Sequence, residues 1–179
     1  MELKQENKWI KEILRHGSKE AADQLVRAYY DEIYVFAYRQ TGSREDSQDL
    51  TQEIFIAALQ SLPVFNIEKA SFRTWLYRIA AHKIIDARRR VKLVTVPIDE
   101  ESFSEEDFVT NLLDKDLLNQ IEEYVCALDP ELQTVFRLRI YAEYSFPEIA
   151  QISGQAEEKV KAQYYRLVKR LKKEFGSHA

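Results

Sequence analysis

The run Ser145-Phe146-Pro147-Glu148-Ile149-Ala150-Gln151-Ile152-Ser153-Gly154 carries its own start and stop signals. Ser145 and Glu148 stand three residues apart, the spacing of a capping box in which each side chain satisfies a backbone N–H of the other. Pro147 is compatible with a helix only in the first turn, where its missing N–H deprives no carbonyl of a partner. Gly154 can adopt the positive φ at which helices end. From Gln155 to Phe175 no Gly or Pro intervenes, and Val160, Tyr164, Leu167, Val168 and Leu171 share one helical face. The reading is a short helix, a tight turn and a longer basic helix. That arrangement is a helix-turn-helix, which can set its second helix in a DNA major groove.

The remainder also reads as helical. With only 4 Gly and 4 Pro in 179 residues, few turns are available. Ala22, Leu25, Tyr29, Ile33 and Ala37, flanked by Val26, Tyr30 and Phe36, form one stripe that ends at Gly42. Ser43 and Asp46 are a capping pair for a second helix carrying Leu50, Ile54, Ala57 and Ala58 and stopping near Leu62-Pro63. After the loop from Phe65 to Ala70, a third helix begins near Ser71 with Trp75, Leu76, Ile79 and Ala80 inward, and its pattern fades after Arg90. Leu117, Ile121, Val125 and Leu128 begin a later block. Asp129-Pro130 then caps and opens a helix bearing Leu132, Val135, Phe136 and Ile140. The expected fold class is all-α: a helical domain over 1–92, an acidic linker over 93–112, and a helical domain over 113–179 that contains the helix-turn-helix.

Charge is distributed in blocks. Residues 67–95 hold eight basic side chains against Glu68 and Asp86, residues 97–123 hold ten acidic ones against Lys115, and residues 157–174 hold seven basic against three acidic. Two phosphate-facing surfaces joined by an acidic strap would have this map, which the net charge of −4 conceals. The single cysteine, Cys126, can form no internal disulfide and reads as a buried structural thiol in a reducing cytoplasm. No apolar run reaches membrane-spanning length and no signal-peptide core opens the chain. The three histidines, His16, His82 and His178, are scattered, so neither a metal site, a cofactor nor a paired-carboxylate catalyst is expected.

Asp49-Leu50-Thr51-Gln52-Glu53-Ile54-Phe55, followed about twenty residues on by Phe72-Arg73-Thr74-Trp75-Leu76-Tyr77-Arg78-Ile79-Ala80, resembles bacterial sigma factors of the extracytoplasmic-function class. Leu128-Asp129-Pro130-Glu131-Leu132, Val135-Phe136-Arg137-Leu138-Arg139 and the helix-turn-helix complete the likeness over roughly residues 20–174. The resemblance implies a cytoplasmic, non-enzymatic subunit that binds core RNA polymerase and directs it to a promoter class, in a stress or envelope regulon. The first block would grip the polymerase and read and melt the −10 element as single strands. The second would read the −35 element as duplex. An anti-sigma factor is a further partner implied by the family. The alternative from the residues alone is a stand-alone two-domain helix-turn-helix regulator.

Asp46, Asp49, Gln52 and Glu53 share one side of a helix, a face suited to a basic or amide-rich partner helix; the resemblance identifies that partner as the polymerase clamp. For the −10 element the candidates are Asn66 and Lys69 in the loop, then Arg73, Trp75, Tyr77, Arg78, His82, Lys83, Arg88, Arg89 and Arg90. Rings can stack on bases and cations can meet phosphates. For the −35 element they are Ser145, Lys159, Lys161, Gln163, Tyr165, Arg166, Lys169 and Arg170. Four positions depart from the family pattern. Ala81-His82 stands where Arg-Asn is usual, Ala156 where a serine cap is usual, and Gln163 where arginine is common. His82 offers an adenine edge a different geometry from asparagine, which leaves the promoter preference at that position open, and the −35 contact is expected to be unusual or weak.

Overall fold

A computed structural model describes residues 3–90 and 115–175. Every element among them is helical: α1 (Leu3–His16), α2 (Lys19–Thr41), α3 (Arg44–Ser61), α4 (Phe72–Arg90), α5 (Lys115–Cys126), α6 (Pro130–Ile140), α7 (Phe146–Ser153) and α8 (Glu157–Phe175), with a 3-10 turn over Leu62–Val64. The all-α expectation holds. The anticipated linker, 93–112, lies outside the described residues. The chain divides into two compact units, Met1–Ile84 and Ile85–Ala179.

In the first unit, local chemistry sets the helix ends. Gly42 stops α2 at φ 69°, its N–H donating to the Tyr38 carbonyl. The Ser43 hydroxyl accepts from the Asp46 N–H at 3.2 Å and starts α3. Leu25, Tyr29, Ile33, Phe36 and Ala37 of α2 are buried, as are Leu50, Ile54, Phe55 and Ala58 of α3 and Phe72, Leu76, Ala80, Ala81 and Ile84 of α4. The ring of Phe72 lies 5.4 Å from Tyr29, and Tyr77 meets Phe36 edge-on at 5.0 Å, so α4 is keyed to α2 through aromatic pairs.

α1 is an element that the sequence reading did not anticipate. It contributes buried Ile10, and it places the Glu6 carboxylate, only 3% exposed, where the Tyr29 hydroxyl donates to it. Burial first, and this carboxylate second, push the Tyr29 phenol well above its ordinary range. A folded-state value raised in this way favours the fold fully below about pH 10, and the contribution falls as pH rises beyond it. Tyr29→Phe leaves a buried acceptor without its donor and should lower stability by about 1–3 kcal/mol. Thermal melts at pH 7 check the loss, and melts above pH 10 should show a narrower gap between the variant and the parent.

In the second unit, the Asp129 carboxylate caps α6 by accepting from the Glu131 N–H at 2.8 Å, with Pro130 in the first turn. Ile121, Val125, Leu132, Val135, Phe136, Leu138, Ile149, Ile152, Val160, Leu167 and Leu171 are buried. One cation is buried among them. Arg137, with its side chain 0% exposed, donates to Gln133 Oε1 at 2.7 Å, to Glu122 Oε2 at 3.0 Å and to Cys126 Sγ at 3.2 Å. Gln133 in turn donates to the carbonyls of Leu128, at 2.8 Å, and Cys126, at 3.0 Å. Cys126 is thus only partly buried, and it accepts a hydrogen bond from a guanidinium instead of packing as an apolar plug.

Candidate nucleic-acid and polymerase interfaces

Asp46, Asp49, Gln52 and Glu53 are all exposed on α3. Asp46 lies in the capped first turn, where its charge complements the helix dipole. Asp49 and Glu53 lie deeper, and Ile56 continues the same face with 55% of its surface exposed. The sequence reading missed Ile56. Its signal was present, since it follows Asp49 by seven residues and Gln52 by four, which places all three on one stripe. A face of carboxylates around an uncovered aliphatic side chain fits a helix carrying both cations and apolar groups. Glu53 Oε2 also lies 3.3 Å from Lys83 Nζ on α4, an ion pair between side chains that are 58% and 39% exposed.

Around α4 the anticipated residues separate into two sets. Asn66, Lys69, Arg78 and His82 are exposed. The Asn66 side-chain oxygen accepts from the Glu68 N–H at 2.8 Å, and its carbonyl accepts from the Lys69 N–H at 3.1 Å, which shapes the loop. Phe65 anchors that loop against Phe72 at 5.7 Å and Trp75 at 5.1 Å. The Trp75 ring is therefore partly buried in an aromatic cluster. Tyr77 is buried outright and presents no face for a base, because its position on the helix turns it toward α2. Arg73 also turns inward. Its Nε donates to Glu32 Oε1 at 2.7 Å, its Nη2 donates to the same oxygen, and its guanidinium lies 5.0 Å over the Tyr77 ring, while the Tyr77 hydroxyl donates to Glu32 at 3.0 Å.

The last turn of α4 belongs to the second unit. There Arg88 is partly buried and its Nη2 donates to the Cys126 carbonyl at 3.0 Å, with burial lowering its pKa. The side chains of Arg89 and Arg90 lie outside the described residues.

The helix-turn-helix consists of α7 and α8. Ser145 and Glu148 form the reciprocal box, with the Ser145 N–H donating to Glu148 Oε2 at 2.9 Å. Gly154 takes φ 68° and its N–H returns to the Ala150 carbonyl. Arg139 braces the entry to α7 by donating to the Tyr144 carbonyl at 3.2 Å and lying 5.0 Å over the Phe146 ring. Phe146 meets Tyr164 at 5.4 Å and Tyr165 at 5.6 Å, so an aromatic trio locks α7 to α8. Burial raises the Tyr164 phenol pKa, partly opposed by Arg139. Lys159, Lys161 and Lys169 are exposed, whereas Gln163, Tyr165, Arg166 and Arg170 are partly covered. Lys161 Nζ pairs with Glu157 Oε1 at 2.8 Å.

Glu143, in the turn before α7, has φ 57°. A non-glycine residue there costs about 1–2 kcal/mol. Glycine would relieve that strain while adding about 0.4–1 kcal/mol of unfolded-chain entropy. Glu143→Gly should therefore stabilise this unit by about 0.5 kcal/mol, seen as a Tm gain of roughly 2–4 °C.

Among the described residues no group of His, Cys, Asp and Glu could hold a metal ion, and no helix is long and apolar enough to cross a membrane. The family models for Sigma-70 region 2 and Sigma-70 region 4 match residues 25–93 and 118–171. RNA polymerase sigma factor YlaC of Bacillus subtilis (strain 168) is 33% identical over 163 residues, 87% of this chain and 92% of that protein. ECF RNA polymerase sigma factor SigW of the same strain is 30% identical over 182 residues, 93% and 95% of the two chains. Two solved structures share the fold. CnrH, in complex with the cytosolic domain of CnrY, has a TM-score of 0.66 at 21% identity, covering 99% of this chain and 98% of that one. RpoE of Bartonella quintana, in complex with the anti-sigma factor NepR, has a TM-score of 0.64 at 16% identity, covering 88% and 98%.

Proposed function

This chain belongs to the extracytoplasmic-function class of RNA polymerase sigma factors, and from that premise we propose how its surfaces divide the work. It directs core polymerase to a promoter class and starts transcription there. The stand-alone regulator is set aside by the region 2 block, which a duplex-reading repressor would not need. The observation that carries the assignment of surfaces is the exposed α3 face (Asp49, Gln52, Glu53, Ile56) in one chain with a braced helix-turn-helix.

Residues 1–92 form the polymerase-binding and −10 domain, residues 93–112 a linker, and residues 113–179 the −35 domain. The α3 face takes the polymerase clamp. Asn66, Lys69, Arg78, His82 and Lys83 meet the opened −10 strand. Trp75 and Arg73 support that surface from below: Trp75 seats the loop through Phe65, and Arg73 is held by Glu32. Ser145, Lys159, Lys161, Gln163, Tyr165, Arg166, Lys169 and Arg170 serve the −35 duplex, with cations on phosphates and the early turns of α8 near base edges. An anti-sigma factor binds the free protein and covers one or both surfaces. The protein acts in the cytoplasm and catalyses no reaction of its own.

The purified chain, added to core polymerase with a library of promoters randomised in both upstream elements, should create new transcription starts on a subset sharing two short motifs. Absence of new starts would overturn the proposal.

A further inference from the structure

The recognition helix opens with two acids, and the structure treats them differently. Glu157 is partly buried and paired with Lys161 at 2.8 Å. Glu158 is exposed and makes no ion pair with any described residue. The buried side of α8 is defined by Val160, Tyr164, Leu167 and Leu171. At 3.6 residues per turn, Glu158, Ala162 and Lys169 fall on the opposite side. Glu158 therefore stands in the first turn of the helix, on its outer stripe. In a helix-turn-helix that is the position from which side chains reach base edges. Ala162, one turn on, projects no long side chain that would fill the space beside it.

A carboxylate has only acceptors, so it repels phosphates and cannot pair with guanine N7 or O6 or with thymine O4. The major groove offers it amino donors, and the pairing that suits a lone carboxylate is acceptance from cytosine N4. Resting on the −35 role proposed above, we infer that Glu158 is a specificity-determining residue that selects a cytosine at one position of the −35 element. The adjacent cation Lys159, also exposed, meets a flanking phosphate and offsets the repulsion that the carboxylate would otherwise feel. A promoter class with a required cytosine facing the start of α8 follows.

The test uses the full chain assembled with core polymerase on a library randomised only in the −35 element, with transcript counts as the readout. The parent should show one position where cytosine is favoured at least about tenfold over other bases. Glu158→Ala should flatten that position to within about twofold while leaving the other positions unchanged. Glu158→Gln should move the preference to adenine, whose N6 and N7 match an amide. Glu158 is exposed, so both variants should fold, and matching thermal melts confirm it. If neither variant alters any base preference while the parent transcribes normally, Glu158 serves only the helix dipole and the inference fails alone. If the parent starts no transcription on any template, the sigma-factor assignment of surfaces fails and the inference falls with it.

Discussion

Arg137→Ala should lower the stability of the second unit by about 3–5 kcal/mol. The guanidinium is fully buried and feeds three acceptors: Gln133, Glu122 and Cys126. Truncation removes all three interactions at once, leaves the Gln133 oxygen and one Glu122 oxygen without this donor, and opens a cavity where a long side chain lay. Glu122 is partly exposed and can rehydrate, which holds the expected loss within that range. In a unit of this size each kcal/mol corresponds to roughly 4–8 °C in Tm. A fall of more than about 12 °C, with faster amide exchange across α5 and α6, is the expected result. Arg137→Met keeps most of the volume and should lose less. A loss below about 1 kcal/mol for alanine would show that the cluster is not what holds these helices together.

The second large effect is functional. Asp49→Lys with Glu53→Lys should reduce affinity for core polymerase by at least about 100-fold: if the α3 face meets a basic partner, as proposed, reversing its charge places like charges together at a cost of several kcal/mol. Both residues are exposed, so melting should shift by no more than about 1 kcal/mol. The double variant should show weaker assembly with core polymerase and a matching drop in transcription. Reversing Glu45, also exposed but in the first turn of the same helix, is the control and should have a small effect. Affinity within about threefold of the parent for the double variant would remove the polymerase from the α3 face.

Local signals were legible in advance because they act over three or four residues. Ser43 with Asp46, Ser145 with Glu148, Asp129-Pro130, Gly42 and Gly154 are caps and stops by sequence alone, and each occupies that place. What the sequence did not disclose depended on partners far along the chain or on the exact phase of a helix. Arg73 lies 41 residues from Glu32, and nothing near it announces a carboxylate waiting on another helix. Tyr77 and Trp75 look alike as stacking surfaces until α4 is seen to turn the first toward Phe36 and the second toward Phe65. Arg137 and Arg139 are the same residue two positions apart, yet one is buried in a polar cluster and the other braces a turn. α1 escapes such a reading because its inward side mixes Ile10 with the buried carboxylate of Glu6, which composition rules assign to solvent.

If opened DNA lies along α4, as proposed, the pairing of Arg73 with Glu32 has a consequence for how it is held. A cation held by two hydrogen bonds to a carboxylate of its own chain, as Arg73 is by Glu32, displaces less condensed sodium or potassium from the nucleic acid than a free one. Each such residue removes up to about 0.7 from the slope of log affinity against log salt for single strands. The grip on the melted strand should therefore weaken less with ionic strength than a tally of lysines and arginines along α4 would suggest, and it should lean more on the shape of the loop that Phe65 anchors.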